Sequence, residues 1–254
     1  MNGLLAAIRL LTVIPIGNGA TDARSIAQSP AFFPVVGLAI GAAMAVVNWS
    51  AALVLPGLPA AALAVAAGVA LTGAIHIDGL ADTFDGLFGG RTPQRRLEIM
   101  RDPAIGTFGA TAVGLLLILK WSAVSSMGGP HAWAAIALAP MLGRLAAVTV
   151  MASFPYARPE GLGTAYSGGA AWALAGAAAF STIGAVALLG PWAMIVLGAA
   201  GAMAFATGRF ASSRLGGGVT GDVYGAVVEL TEAAALLLLS ALLLTGLALQ
   251  PVWV

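Results

Sequence analysis

Apolar stretches of bilayer-spanning length recur along this chain, and they constrain its fold more than any other feature of the sequence. A helix of about 20 apolar residues crosses the hydrocarbon core of a membrane. Only 8% of the residues are charged, whereas soluble domains carry roughly a quarter. The pattern predicts an all-α fold, a polytopic helical bundle in which residues 1–254 form one integral membrane domain. About seven spans are expected: 31–55, 60–76, 108–127, 132–152, 170–189, 192–209 and 226–249.

The N-terminal segment, residues 4–16, is apolar but too short for a span, and it contains Arg9. It lacks the basic leading region and the small-residue cleavage site of a signal peptide. A helix lying in the membrane interface fits its length, since the arginine side chain can extend to the lipid headgroups. We therefore expect an N-terminal interfacial helix before the spans.

The connections between the predicted spans alternate between two kinds. The tight ones, built on Pro and Gly and free of Lys and Arg, are 56–59, 128–130 and 190–191. The long polar ones, which carry most of the arginines, are 77–107, 153–169 and 210–225. Because Lys and Arg are concentrated in cytoplasmic loops, this alternation predicts that the N-terminus and the long loops face the cytoplasm and that the C-terminus lies outside.

The acidic residues are concentrated in the same long loops, and three of them share one helix face. Asp78, Asp82 and Asp85 stand at i, i+4 and i+7, a spacing that stacks their carboxylates on one side of a helix. Like charges so close repel unless a cation lies among them. The chain has no cysteine, so any metal uses oxygen or histidine ligands, and Mg²⁺ or Mn²⁺ is favoured over zinc. The spacing predicts a divalent-metal site.

The alternative for these aspartates is a solvated helix end, in which the acids simply face water. Apolar residues are interleaved with the acids here, among them Leu80, Phe84 and Leu87. The segment is therefore amphipathic at the membrane surface rather than freely solvated, which favours the metal site.

A second polar patch precedes the last span. It contains a glycine run from Gly216 to Gly218, followed by Thr220, Asp222 and Glu229. Glycines leave backbone N–H groups free to meet a phosphate at a helix N-terminus, although such a run is also typical of a flexible linker. Asp222 and Glu229 repeat the i, i+7 spacing, and we expect both to face the same cytoplasmic end of the bundle as the first patch.

Glu98 and Asp102 form a further i, i+4 pair of acids in the first long loop, among several arginines. Arginine binds carboxylates and phosphates equally well through its planar fork. Structural ion pairs and phosphate contacts therefore both remain open for this loop.

Four ionisable residues lie within or beside the predicted spans. Arg144 is mid-span and should face the bundle interior, where it would either pair with an acid or hold an anionic substrate. His76 adjoins the aspartates and would be a base, a metal ligand or a hydrogen-bonded structural residue. Lys120 and His131 lie toward the opposite side of the membrane, and we expect no chemistry from them.

Four segments in order along the chain resemble the motifs of the cobalamin synthase family, the adenosylcobinamide-GDP ribazoletransferases. The segments are His76 to Gly86, Leu97 to Asp102 with Gly106, Ala157 to Gly163, and Gly217 to Glu229. The resemblance implies a multi-pass enzyme of the bacterial inner membrane with its active site facing the cytoplasm. It also implies a reaction that joins adenosylcobinamide-GDP to α-ribazole, or to its 5′-phosphate, with Mg²⁺ as cofactor and release of GMP.

The resemblance further implies roles for individual residues. The three aspartates of the first patch, together with Asp222, would hold Mg²⁺ against the diphosphate of the substrate. The proton of the attacking hydroxyl would pass to a carboxylate, Asp82 or Asp85, or to His76. The other expected contacts to substrate or phosphate are Glu98, Arg101, Asp102, Arg158, Glu160, Arg214, Gly217, Gly218, Thr220 and Glu229.

Two other functions remain as alternatives. A CDP-alcohol phosphotransferase also uses aspartates and Mg²⁺ at the membrane surface, but this chain lacks the Asp-Gly-x-x-Ala-Arg opening of that class. A metabolite or ion transporter would place its acids at mid-membrane on broken helices within repeats, and no clear repeat is visible. A net charge of +1 gives no broad field for nucleic acid, so the expected partners are the two substrates and the lipid bilayer. The sequence does not indicate an oligomeric state.

Overall fold

A computed structural model describes residues 2–17, 22–159, 166 and 170–245. Within these ranges the chain forms helices and no strand, and its one isolated β-bridge joins Tyr156 to Val219. The helices are α1 (Gly3–Leu11), α2 (Ala23–Gln28), α3 (Phe33–Ala52), α4 (Gly57–Thr72), α5 (Ile75–Gly89), α6 (Pro93–Ile99), α7 (Thr107–Ser126), α8 (Ala132–Ser153), α9 (Ala170–Leu189), α10 (Ala193–Arg214) and α11 (Gly221–Leu244).

Five helical stretches of the described chain are long and apolar enough to cross a membrane, or six if the bent pair α4 and α5 counts as one span. This confirms the all-α membrane bundle but not the predicted number of seven spans. The difference lies in Ala171–Arg214, a stretch of 44 residues that runs through α9 and α10. A continuous helix of that length would measure about 66 Å, twice the thickness of the hydrocarbon core. A 3₁₀ turn at Gly190–Trp192 divides it, so it has the length of two crossings.

Helix α8 lies at the centre of the bundle, where it packs against α3, α9, α10 and α11. Its contact with α3 depends on small residues. A Cβ on Gly41 would overlap the carbonyl group of Ala137, and one on Gly37 would overlap that of Pro140. Helix backbones can approach this closely only where side chains are absent, which is a common basis of helix association in membranes.

The chain changes direction sharply between α4 and α5. Gly73 and Ala74 both adopt left-handed backbone conformations, each with φ of 60°, and α5 runs at 88° to α4. The helix that carries the three aspartates is therefore not a straight continuation of the second span, since it lies across the bundle against α7 and α11. The helical spacing of the aspartates is as predicted, because all three lie on α5.

Helix α1 has nine residues, too few to cross a membrane, in agreement with the sequence. Its Ala6, Ala7 and Leu11 are buried against α2, α3 and the 3₁₀ turn between them. Beyond its end, the N–H of Val13 donates to the carbonyl of Leu71 at 2.9 Å, which fastens the segment to α4. The N-terminal helix is thus part of the bundle wall.

Candidate active site

Two glycines allow α5 and α11 to cross in close contact. A Cβ on Gly79 would stand 2.8 Å from the carbonyl oxygen of Asp222, and one on Gly225 would stand 3.3 Å from the Cα of Gly79. The crossing brings Asp78 and Asp82, on either side of Gly79 in α5, beside Asp222 in the first turn of α11. Two acidic patches that are far apart in the sequence therefore meet. We call the group formed by Asp78, Asp82 and Asp222 the carboxylate mouth.

The negative charges clustered at the carboxylate mouth change the pKa of Asp82. Burial raises its pKa, and the negative charges of Asp78 and Asp222 raise it further, from an ordinary 3.8 to about 7. Asp85 adds to the rise, and the positive charge of Arg158 opposes it. A carboxyl group that titrates near neutral pH is suited to accept a proton. The same repulsion means that a cation bound among these carboxylates would be stabilised.

Asp85 has different surroundings from the other aspartates of α5. It is buried, and its two carboxylate oxygens accept hydrogen bonds from the backbone N–H groups of Gly106, at 2.7 Å, and Gly109, at 2.8 Å. It thereby caps the N-terminus of α7, where the helix dipole favours negative charge. A Cβ on either glycine would overlap the carboxylate. We therefore assign Asp85 a structural role in place of the metal-binding and catalytic roles that the sequence suggested.

Asp222 is oriented by two neighbours that both bind the same oxygen. Its Oδ2 accepts hydrogen bonds from Nη2 of Arg158, at 2.9 Å, and from the hydroxyl of Thr220, at 3.1 Å. Within the described part of the chain, no donor contacts Oδ1. Thr220 is fully buried and caps α11 by accepting the N–H of Val223, so it orients Asp222 rather than offering its hydroxyl to a phosphate. Glu160, expected beside Arg158, lies outside the described residues.

The glycine run before α11 forms a turn rather than an open phosphate cradle. Gly216 and Gly217 have φ of 85° and 108°, which favour glycine, and the N–H of Gly217 donates to the carbonyl of Ser212 to end α10. A Cβ on Gly218 would stand 2.9 Å from the backbone of Ala157. The predicted phosphate contact of Gly217 is thus corrected, because its N–H is already bonded within the protein.

Arg96 fixes the position of the first long loop, a role that the sequence did not single out. Its Nε donates to the carbonyl of Gly90 at 3.0 Å, and its Nη1 donates to the carbonyl of Arg214 at 2.7 Å. The guanidinium of Arg214 lies over the ring of Phe210, 5.1 Å from its centroid. No local pattern separates Arg96 from its exposed neighbour Arg95, since the partner that buries it is 118 residues away. The phosphate contact of Arg214 stays a prediction.

The other predicted contacts of this loop lie on an exposed surface. Arg101 and Asp102 are exposed, and Asp102 accepts the N–H of Ala104 at 3.0 Å. Glu98 forms an exposed ion pair with Arg95 at 3.0 Å, a kind of contact that contributes little to stability. Among the described residues, no hydrogen bond links Glu98, Arg101 or Asp102 to the carboxylate mouth, and their contacts with substrate stay predictions.

A buried ion network lies deeper in the bundle. Lys120 of α7 donates to Glu229 at 2.5 Å and to Glu232 at 2.7 Å, both on α11. Arg144 of α8 also pairs with Glu232, and its Nη2 stands 3.5 Å from Nδ1 of His76 on α5. All five side chains are buried. The two cations and the two carboxylates balance in charge, so four helices are joined by one neutral network.

The buried ion network differs from what the sequence predicted for Glu229 and Lys120. It also selects between the alternatives that were open for Arg144 and His76. Glu229 does not face the carboxylate mouth, because seven residues of helix place it about 10 Å beyond Asp222 along α11. Lys120, for which no role was expected, neutralises it. Arg144 forms the ion pair that was one of its two alternatives. Because arginine can only donate, Nδ1 of His76 accepts, which makes the histidine a structural partner of Arg144.

A cavity of about 230 Å³ lies between the carboxylate mouth and the buried network. Asp78 and Asp222 line its outer end, and His76 and Arg144 line its inner end. The residues that form its walls are mostly apolar or aromatic and include Leu11, Phe33, Ile75, Met151, Tyr166, Tyr224 and Val228.

The mouth fits a metal ion that is shared with a substrate. The described residues contain no group of three or more His, Asp or Glu placed to hold a metal by themselves. Mg²⁺ does not require one, since proteins commonly bind it through one or two carboxylates together with water and phosphate oxygens. The free oxygens here, on Asp78, Asp82 and Oδ1 of Asp222, are the hard donors that this ion prefers.

The fold and this site define a class of protein, the polytopic membrane proteins with an acidic site at the mouth of an apolar cavity. A family model described as Cobalamin-5-phosphate synthase matches residues 3–240, and the chain belongs to this family of enzymes of cobalamin synthesis.

Similar proteins support the same membership. The chain is 40% identical over 237 residues to an adenosylcobinamide-GDP ribazoletransferase of Chlorobium phaeovibrioides, a match that covers 91% of this chain and 94% of the relative. It is also 40% identical over 252 residues to the protein of that name in Stutzerimonas stutzeri, covering 97% and 98%. No solved structure matches the chain.

Proposed function

We propose that this protein joins adenosylcobinamide-GDP to α-ribazole, or to α-ribazole 5′-phosphate, with release of GMP. The names of its relatives support the substrates. The structural observation that carries the proposal is the crossing of α5 and α11 at Gly79 and Gly225, which gathers carboxylates beside a cavity. Such a site suits a diphosphate, whose reaction requires neutralised charge and aligned reactants.

The bond changes of the reaction are simple. A secondary ribose hydroxyl of the acceptor, which is free in both α-ribazole and its 5′-phosphate, attacks the phosphorus atom attached to cobinamide, and the bond from that phosphorus to the bridging oxygen breaks. GMP leaves with the bridging oxygen, and a phosphodiester forms. The hydroxyl proton passes to Asp82, whose pKa of about 7 suits a base that works near neutral pH. His76, the alternative base, is bonded to Arg144 instead.

Two carboxylates remain to hold the cofactor. Asp78 and Asp222 would bind Mg²⁺ together with the phosphate oxygens of the substrate, and the bound ion would neutralise charge on the diphosphate. Arg158 and Thr220 hold Oδ2 of Asp222, so Oδ1 is the oxygen that would be available to bind the ion. Asp85 takes no part in this binding.

We further propose that the carboxylate mouth faces the cytoplasm of a bacterial cell from the inner membrane. The segments that build it, the first half of α5 and the first turn of α11, fall within the arginine-rich connections 77–107 and 210–225. Arginine-rich loops of this length, fewer than about 60 residues, remain on the cytoplasmic side of the membrane. This orientation also gives access to a nucleotide-activated substrate.

The proposal is tested with the purified protein in lipid nanodiscs, adenosylcobinamide-GDP, α-ribazole and Mg²⁺. We expect GMP and the corrinoid product in equal amounts by chromatography and mass spectrometry. Asp82→Asn should abolish both products, and Gln94→Ala, a change at an exposed position of the same long loop, serves as the control. Absence of product, with a related enzyme active in parallel, would refute the proposed activity.

A further inference from the structure

The cavity beside the carboxylate mouth extends along α11. Its lining on that helix runs from Gly221 to Val228, so it reaches about 10 Å. Its outer end is at the carboxylates, where the proposed reaction takes place. Its inner end is lined by His76 and Arg144, which the buried network holds in position. A molecule bound in it would have one end at the reacting atoms and the other end deep among α8 and α11.

The walls and the inner end of the cavity favour a flat, largely apolar group with a hydrogen-bond acceptor. Phe33, Tyr166 and Tyr224 supply aromatic surface, and the aliphatic lining adds to it. Among the described residues, one buried donor of the lining has no hydrogen-bond partner, Nε of Arg144, whose residue is 1% exposed. Unpaired buried donors of this kind are costly unless a ligand satisfies them.

The two substrates of the proposed reaction offer three groups, and only one of them matches. A corrin ring is far too large for about 230 Å³. Guanine carries an amino group, a ring N–H and a carbonyl, which apolar walls would leave unpaired. The fused benzimidazole base of ribazole is flat and apolar, and its single free ring nitrogen is an acceptor for the unpaired Nε of Arg144.

We infer that this cavity is the binding site for the base of the nucleoside acceptor, with its ribose hydroxyls at the carboxylate mouth. The inference rests on the proposed function and adds the acceptor subsite to it. Arg144 is the group that recognises the ring nitrogen, and Tyr166 supplies aromatic surface for the base. The size of the pocket, set in part by Ala147 and Met151, determines which bases fit.

A larger side chain in the cavity wall tests whether the base of the acceptor binds there. Ala147→Leu adds bulk to the wall of the cavity, and Ala199→Leu makes the same change at an exposed position of α10 as a control. Each variant is assayed in nanodiscs with α-ribazole and with the riboside of unsubstituted benzimidazole, which lacks two methyl groups. We expect Ala147→Leu to raise KM for α-ribazole by about tenfold or more and KM for the smaller riboside by much less. The KM of Ala147→Leu for adenosylcobinamide-GDP should not change. The control variant Ala199→Leu should keep the wild-type KM values for its substrates.

The outcomes separate this inference from the proposed function. An inactive wild-type protein refutes the function. An active wild type in which Ala147→Leu affects both acceptors equally, or affects only KM for adenosylcobinamide-GDP, overturns the acceptor pocket and leaves the function standing.

If Ala147→Leu does not fold, a variant with an enlarged pocket tests whether the cavity binds the base of the acceptor. Met151→Ala should shift preference toward bases larger than dimethylbenzimidazole, and an unchanged preference would overturn the inference. Native mass spectrometry provides the last check, because a lipid that stays bound while α-ribazole is turned over at full rate would assign the cavity to lipid instead.

Discussion

Three aspartates on one face of α5 differ in what surrounds them, and their chemistry differs accordingly. Asp78 is exposed at the carboxylate mouth, Asp82 is partly buried among like charges, and Asp85 is enclosed by backbone N–H groups. The same residue type is therefore suited in turn to bind a cation, accept a proton and cap a helix. Sequence spacing alone could not distinguish these roles, because the neighbours that cause the difference come from α7 and α11.

The raised pKa of Asp82 predicts a pH-dependent rate. Below pH 7 the carboxyl group is protonated and cannot accept the hydroxyl proton, so kcat/KM should fall about tenfold per pH unit below the inflection and level off above it. The measurement is a pH–rate profile at fixed Mg²⁺, and Gln94→Ala, at an exposed position of the same loop, should reproduce the wild-type profile. A flat profile between pH 5 and 8 would contradict the role of Asp82 as base.

The contacts of Asp85 predict a loss of stability rather than a loss of metal binding. Asp85→Ala leaves two N–H groups at the start of α7 without acceptors, which should cost about 1–2 kcal/mol in the free energy of unfolding. Thermal unfolding in detergent measures the stability, and Mn²⁺ binding followed by electron paramagnetic resonance measures the metal site. A variant of wild-type stability that no longer binds Mn²⁺ would show that Asp85 is a metal ligand after all.

At the scale of helices, the site depends on one crossing. Helix α5 turns by 88° from α4 and meets α11 where Gly79 and Gly225 replace side chains. The sequence correctly predicted that the aspartates share a helical face, because that depends only on local spacing. It could not predict the turn at Gly73 and Ala74 or the contact with α11, which depend on packing between distant segments. The depth of Glu229, in contrast, follows from the helical rise and could have been foreseen.

The crossing can be tested by adding a single methyl group. Gly79→Ala places a Cβ 2.8 Å from the carbonyl oxygen of Asp222, so the helices must separate and the carboxylates move apart. Displacement of reacting groups by about 1 Å can lower kcat by about 100-fold. Gly114→Ala is the matched control, since a Cβ there meets nothing within 4 Å on the lipid-facing side of α7. Equal activity of the two variants would show that the close crossing is not required.

The whole molecule is held together by a charge-balanced network inside an apolar bundle. Lys120, Arg144, Glu229 and Glu232 join α7, α8 and α11, and His76 adds α5. The sequence predicted the class of the fold from the length of its apolar stretches, and the structure confirms it. The partners of Lys120 were not predictable, because the nearer one is 109 residues away and no local pattern marks it.

Removing one charge from this network should destabilise the whole bundle. Lys120→Met leaves two buried carboxylates with a single cation, and breaking a buried pair in this way costs about 3–5 kcal/mol. The double variant Lys120→Met with Glu229→Gln keeps the charge balance and should recover most of that loss. Thermal unfolding of the two variants in the same detergent makes the comparison. A single variant as stable as the wild type would show that the network is not a structural requirement.

The central claim is that acidic residues of α5 and α11 bind one cation, and a double-mutant cycle on metal affinity tests it most directly. Mn²⁺ dissociation constants are measured for the wild type, Asp78→Asn, Asp222→Asn and the double variant, in the presence of adenosylcobinamide-GDP. We predict that each single variant weakens binding by about tenfold and that the double variant departs clearly from the product of the two effects, because both residues contact the same ion. Single variants with wild-type affinity, or effects that multiply independently, would contradict a shared site.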